Sequence, residues 1–553
     1  MDSKNITDRS LDEFLATLDP EAKNWRPVEF RCMIQDILGN EIYAKHNSDK
    51  FGDRTIFYCI TIPGENEWVR SCPKGSKNEF MTNNGLSYPE SATSAQENTN
   101  TTNNLDLDRD KNSRLSFSLV NWSYPIPSDG KNKSCLIKVY DINLVEYLRV
   151  NDIVQVSGLV EPIEFEDDSL LMTNKNSPIN GEFESDHNPL PTSNNSSQQL
   201  LDSDFEPASD FPHRLVPRVH VRTLKKLNHI NPLLPDMIIR DKIDKTMVKL
   251  ARARLSTILT QLFGGDSLVA DYLILSLISK IHRRKDVTTL GQLTIGISGV
   301  KPEMKFLIDK LYEIISRITT HSHYIDMSIA NLNNLRFTSK KDHDNNKMIA
   351  GTLQLPDGLY LMLNETALTE GQLTAQGTEN LSTLNQIIRW QRHNYNFKFH
   401  SVEIDTDLKV LIVSEGKSIL SVPYDVRIEN NDPESIASMR QACDSVNDFL
   451  TEDLLNMFRY FITALKDVPE YAIPDDVQKS IQEDFVNWRR GAEANGKTIF
   501  SADDLSSYMT LARYKTISQG ETTLTNVIWK ETCQMEYVRQ SRLQLNSKPS
   551  RHD

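Results

Sequence analysis

The residues Gln292-Leu293-Thr294-Ile295-Gly296-Ile297-Ser298-Gly299-Val300-Lys301-Pro302-Glu303 pass from an apolar strand-like run through a glycine turn into a helix-forming segment. That is how a phosphate-binding loop opens. Such a loop needs G-x-x-x-x-G-K-[ST]: glycines so that backbone N–H groups close on phosphates, a lysine for the β and γ oxygens, and a hydroxyl for Mg²⁺. Here Gly299 is followed by Val300, Lys301, Pro302, Glu303 and Met304, and Lys305 is followed by Phe306. Gly296 and Gly299 therefore mark a degenerate phosphate loop. A nucleotide motor also ends a core strand in Asp-Glu, the aspartate for the metal and the glutamate for water. The corresponding stretch, Leu361-Met362-Leu363-Asn364-Glu365-Thr366, has Asn364 in place of the metal carboxylate, and Glu365 has no lysine cradle beside it.

The other candidates for chemistry are weaker. Ser414-Glu415-Gly416-Lys417-Ser418 contains a G-K-S triplet, but with one glycine, the wrong spacing and an extended segment after it. His321-x-His323 and Asp342-His343-Asp344 lack third and fourth ligands of matching type and read as exposed loops. Cys32, Cys59, Cys72, Cys135, Cys443 and Cys533 are scattered, without a C-x-x-C pair, and read as free thiols. No nucleophile signature such as G-x-S-x-G is present. The expectation is a protein without catalytic residues, metal or cofactor.

The elements that must hold these residues fall into distinct regions. A chain of 553 residues exceeds a single core and implies about two to four domains. Its formal charge of −14 argues against a main surface facing duplex DNA, whose phosphates demand a clustered basic footprint. No run approaches the roughly 18 apolar residues of a membrane span. The first residues lack a basic and then apolar secretory pattern, so the expected compartment is cytosol or nucleus.

Alternating stretches at 28–36, 54–62, 134–140 and 149–160, with a short helix at 144–148, predict an OB-like β-barrel over residues 1–165. Phe57, Tyr58 and Trp68 there read as core in preference to a base-stacking face. Residues 78–112 read as a disordered insertion, and 166–215 as an acidic, Asn/Ser-rich linker. Over 216–431, apolar strands at 293–297, 358–365 and 408–414 alternate with helices at 304–318 and 380–391, which predicts a mostly parallel α/β domain. His282-Arg283-Arg284-Lys285 reads as the cationic end of the apolar helix 267–281. Residues 432–553 are helical, with a capped start at Ser501-Ala502-Asp503-Asp504 and a last helix over 526–543.

Together these blocks resemble the mini-chromosome maintenance (MCM) complex-binding protein family. The likeness is carried by Phe30-Arg31-Cys32-Met33-Ile34-Gln35-Asp36, Asp271-Tyr272-Leu273-Ile274-Leu275-Ser276-Leu277-Ile278-Ser279, Gly351-Thr352-Leu353-Gln354-Leu355-Pro356, Asn364-Glu365-Thr366, Gly371-Gln372-Leu373, Val413 through Ser418, and Ala502 through Leu524. More distantly, the 216–431 region is similar to the AAA+ motor domains of the MCM helicase subunits, and 432–553 to their helical lid, with Asp503 or Asp504 about where those motors place a phosphate-sensing arginine. The resemblance implies a non-catalytic, nuclear partner of MCM subunits, with the cytoplasm a second compartment. Its implied work is assembly, chaperoning or unloading of the helicase during DNA replication, with a link to sister-chromatid cohesion. Trp529, Met535, Tyr537 and Leu543 are the expected docking face, since aromatic anchors are enriched at hot spots. Two other readings stay open: an AAA+ ATPase with an atypical phosphate loop, and a single-strand nucleic-acid binder using the N-terminal barrel.

Overall fold

The computed structural model describes residues 9–10, 25–44, 51–71, 124–126, 134–161, 216–235, 243–285, 288–343, 347–397, 399–429, 432–466, 468, 471–494 and 500–545. The expected insertion at 78–112 and linker at 166–215 lie outside them. It is a mixed α/β protein with several sheets.

The first sheet is built from β1 (Arg26–Ala44), β2 (Phe51–Ile60), β3 (Ser134–Val139), β4 (Ile153–Val160) and β5 (Arg218–Lys226). Its pairings form a closed ring: β1 with β2, β2 with β3, β3 with β5, β5 with β4, and β4 back to β1. β1 serves both β2 and β4 because register shifts at Ile34/Asp36 and Ile37/Gly39 bend it, so that Arg26–Met33 faces β4 and Met33–Ala44 faces β2, while the two-residue strand Arg9–Ser10 pairs in parallel with its Phe30–Arg31. The strict alternation of β4 puts Val154, Val156 and Val160 inside with Phe30, Phe57, Ile137 and Val219. The closing strand, β5, comes from beyond position 216, a region that the sequence assigns to the α/β domain.

Three thiols sit in this interior. Cys59 lies directly opposite Cys135, Cys32 is within hydrogen-bonding reach of both, and burial pushes all three thiols up from their ordinary range. Thiolate is the reactive form, so Cys32, Cys59 and Cys135 are expected to resist alkylation at pH 8 until the chain unfolds, as peptide mapping after native and denatured labelling would register.

The central sheet holds β6 (Ile295–Ser298), β7 (Ser322–Asp326), β8 (Tyr360–Asn364), β9 (Lys409–Val413) and β10 (Tyr424–Arg427), all parallel, in the spatial order β10-β6-β9-β8-β7. The apolar runs of β6, β8 and β9 are buried end to end because both faces are covered. Ile295, Ile297, Tyr360, Met362, Leu411 and Val413 pack toward helices Lys245–Leu262, Ser267–Ile278, Lys305–Ile318 and Glu452–Ala464. Leu361, Leu363, Val410 and Ile412 pack the other way, against Leu384, Ile387 and Ile388 of helix Ala375–Trp390. Two polar hairpins, 339–349 and 392–405, join through parallel pairing into a separate four-stranded sheet.

The two halves are joined by buried polar contacts. Asn66 donates from its side chain to the Thr319 carbonyl at 2.8 Å and accepts from the Ser322 hydroxyl at 2.9 Å, while Trp68 Nε1 donates to the same carbonyl at 2.8 Å. Gly64, at φ +68°, lets its carbonyl accept the Ser322 N–H at 2.8 Å; a Cβ there would stand 2.6 Å from the Ser322 oxygen. Farther along, Gln354 donates to the Gln35 carbonyl and the Met348 N–H to Asp36.

Helices Asp475–Ala494, Ala502–Ser518 and Asn526–Leu545 surround Val477, Ile481, Tyr508, Leu524 and Trp529. The Ser501–Asp504 capping box starts the second of them. Two local expectations fail. The apolar helix stops at Ile278, and Arg283–Lys285 pairs with Thr288–Leu290, so those cations do not end a helix. Arg284 instead donates to the carbonyls of Gln391 and Thr406.

Candidate functional site

In an open α/β sheet, ligands enter the crevice at the carboxyl ends of the strands, where the order reverses. β6 lies between β9 and β10, so its carboxyl end, Ser298-Gly299, is such a point. Gly299 adopts φ +87°, a left-handed turn suited to glycine. Its N–H, however, donates to the Glu415 carbonyl at 3.1 Å, and the Val300 N–H donates to the Ser414 carbonyl at 3.1 Å. The donors that a phosphate would need are already taken. Val300, directly after Gly299, and Met304, where G-x-x-x-x-G counted from that glycine would place its second glycine, are buried in the core.

The strand-end pair is equally committed. Asn364 caps the short turn Glu365–Ala367, its Oδ1 accepting the Thr366 N–H at 3.1 Å and the Thr366 hydroxyl at 2.7 Å. Its Nδ2 donates to the Tyr324 hydroxyl and to Asp326 Oδ1, both at 2.8 Å. An aspartate could not donate there. Glu365 is buried and accepts the Ser418 hydroxyl at 2.8 Å; burial raises its pKa, against the pull of Ser418 and the N–H groups of Ile419 and Leu420. Thus Ser418, part of the misleading G-K-S triplet, pins the 414–420 loop to the end of β8, and that loop's carbonyls hold the Gly299 turn. Restoring the carboxylate with Asn364→Asp is expected to cost about 1–3 kcal/mol, because Asp326 and Tyr324 lose a buried donor. Chemical denaturation reads the loss, and a magnesium titration of the variant is expected to be flat.

The remaining sequence candidates separate. His321 is buried and His323 half-buried, so neither is an exposed loop residue: His321 bridges the Thr320 hydroxyl and the Asp357 carbonyl. Burial, with Lys466 nearby, takes His321 down to about 3, and burial takes His323 to about 4. Among the described residues no group of three or more His, Cys, Asp or Glu side chains is placed to hold a metal. Asp344 lies outside the described residues. Asp504 is spent on the capping box, and its helix docks by the Ser507 carbonyl on Tyr424, the first residue of β10, at the end of the sheet away from Gly299. An Asp503 or Asp504 acting at a phosphate position is therefore not what this geometry places there.

Of the expected docking residues, Trp529 is fully buried and Met535 is 7% exposed, while Leu543 is half-buried and Tyr537, at 67%, stands in solvent. The helix presents Tyr537 outward and turns Trp529 and Met535 inward, because neighbouring helices cover that side. Phe57 and Tyr58 are core, and Trp68 lies under the Arg459 guanidinium at 4.1 Å, so none offers a stacking face.

Fold and crevice together define a mixed α/β protein in which the Gly299 turn and the Asn364 strand end are hydrogen-bonded by the chain's own groups. The family described as mini-chromosome maintenance replisome factor matches residues 44–543, and the chain belongs to that family. Among curated relatives, the mini-chromosome maintenance complex-binding proteins of Homo sapiens and Rattus norvegicus are each 30% identical, over 94% of this chain and 88% of theirs. That of Arabidopsis thaliana is 27% identical over 97% of this chain and 92% of its own. Among the described residues no helix is long and apolar enough to cross a membrane.

Proposed function

We propose that this chain is a non-catalytic binding partner of MCM helicase subunits, acting in the nucleus as a chaperone, assembly or unloading factor in DNA replication, with a link to sister-chromatid cohesion. Family membership and the printed name of its relatives support the partner. The observation that carries the non-catalytic reading is the occupation of the Gly299 and Val300 donors by Glu415 and Ser414.

On this reading the part of 216–431 that follows β5 forms a degenerate AAA+-like domain, supported by five parallel strands in the order 5-1-4-3-2 whose first strand runs into a glycine turn and a helix. The closed ring of β1–β5, with a helix Ile142–Glu146 between the third and fourth strands, supports an OB-like barrel. The helices from Asp475 onward, gathered around Trp529, are its lid. A subunit-shaped protein of this kind occupies a motor interface that another subunit would take, and so caps an open ring edge without supplying an ATP site. Co-purification with cross-linking tests it. Individual MCM subunits or partial assemblies are expected as the main partners, and recovery chiefly of the loaded helicase ring would overturn the assembly role.

A further inference from the structure

The helix Ile142–Glu146 packs against β2 and β3 at one end of the closed ring of the first sheet. Leu144 and Val145 turn into the ring's core. So short a helix buries one side only, and Ile142, at 63% exposure, Glu146 and the following Tyr147 face solvent.

Beside this helix the hairpin of β1 and β2 runs on past the ring. Over 41–44 and 51–54 the two strands pair only with each other. Directly opposite residues share a face, and Ile42 stands opposite Asp53, and Ala44 opposite Phe51. Thr55, two residues after Asp53, lies on the same face and is buried opposite the core residue Val139, so this is the inner face of the ring. The other face is occupied: Glu41 accepts from Arg54 at 2.7 Å, and the Arg54 guanidinium lies 5.6 Å from the Tyr43 ring and 5.8 Å from that of Tyr140. Beyond Thr55 the inner face has no core left to meet, yet it stays apolar. Ile42 is exposed there, and Phe51 is 73% exposed.

Three carboxylates border these side chains. Asp53 shares the face of Ile42 and Phe51, Asp141 caps the helix by accepting the Asn143 N–H at 3.0 Å, and Glu146 ends it. All three are exposed, and none has an ion pair among the described residues. Within 141–149 the one cation is Arg149. An exposed apolar cluster with a charged rim marks a contact surface, and carboxylates in excess favour a basic partner. The net charge of −14 adds the same bias at longer range.

We propose that Ile42, Phe51, Ile142 and Tyr147 form a docking surface for a segment of another protein that carries apolar side chains flanked by lysine or arginine. This takes up the reading above, that MCM subunits are the partners, and gives one of them a place to dock. Burial of Phe51 and Ile142 supplies most of the affinity, while Asp53, Asp141 and Glu146 steer the encounter.

Purified MCM subunits, titrated one at a time onto the full chain by biolayer interferometry, test it. Phe51→Ser/Ile142→Ser is expected to raise the Kd of the bound subunit by about tenfold or more, the effect of removing two apolar anchors. Its melting temperature is expected to match the parent's, because both side chains already face water. Asp53→Lys/Glu146→Lys keeps the apolar residues and is expected to weaken binding several-fold, chiefly through slower association, and to flatten its salt dependence. A folded Phe51→Ser/Ile142→Ser chain that binds as tightly as the parent overturns this surface and leaves the MCM partnership standing. Parental affinity and salt dependence in the charge-reversed chain overturn the basic character of the docked segment. A parent chain that binds no MCM subunit overturns the partnership, and this surface with it.

Discussion

Trp529→Ala is expected to destabilise the C-terminal helices by about 3–5 kcal/mol, the cost of emptying a large fully buried site. Trp529 has no solvent exposure, packs beside Trp488 and Tyr508 at ring separations of 6.2 and 6.5 Å, and donates from Nε1 to Asp484 at 2.8 Å. Urea denaturation followed by circular dichroism measures the loss. Trp529→Phe keeps most of the volume and gives up the hydrogen bond, so it is expected to cost less. Tyr537→Ala, two turns later and in solvent, is expected to stay within about 0.5 kcal/mol of the parent. The pair discriminates between two meanings of a failed MCM pull-down. Failure in Trp529→Ala alone reports a lost fold, whereas failure in a fully folded Tyr537→Ala marks a contact surface. A stable, fully helical Trp529→Ala would contradict the packing described above.

Arg539→Ala is expected to be as damaging, also about 3–5 kcal/mol, because it strands a buried carboxylate. Glu536, 2% exposed, receives Arg539 Nη2 at 2.8 Å and both Nε contacts at about 3 Å, and also accepts the Tyr272 hydroxyl. Arg539 Nη1 reaches on to the Asp425 carbonyl at 3.1 Å, at the edge of the central sheet. This pair, with Arg542 on Asp266 at 2.6 Å, fastens the last helix to the core. Arg539→Lys keeps a charge but not the planar fork, so rescue is expected to be partial. The double variant Glu536→Met/Arg539→Met removes both charges and is expected to be more stable than Arg539→Ala, since an apolar pair often replaces a buried ion pair without loss. A double variant worse than the single one would show that the pair, and not the unpaired charge, carries the energy.

What could be read in the residues, and what could not, follows from where the information resides. β6, β8 and β9 are legible because strands covered on both faces must be apolar throughout. The helix at 502–518 is legible because its cap is local. β5 hides behind Arg218, His220, Arg222, Lys225 and Lys226, since only one of its faces meets the interior. β7, Ser-His-Tyr-Ile-Asp, is too short and polar to stand out, and so His321 and His323 read as loop. The hairpins 339–349 and 392–405 are carried by pairing with each other, a long-range fact. For the last helix the apolar residues Val527, Ile528, Trp529, Met535, Tyr537 and Leu543 trace no single stripe, so the side facing inward is decided by helices elsewhere in the chain. Around Gly299 and Asn364 the departures from a phosphate loop and a metal carboxylate were plain in the sequence. That the Glu415 and Ser414 carbonyls take the Gly299 and Val300 N–H groups was not, because those carbonyls lie over 100 positions away.

The seam at Gly64, Asn66 and Trp68 also sets how the molecule meets anything larger than itself. Shared hydrogen bonds and a carbonyl seated against glycine leave no slack for one half to swivel, so the first sheet and the α/β core face the world at a fixed bearing, like the two jaws of a gauge. Whatever grips one half finds the other already in position.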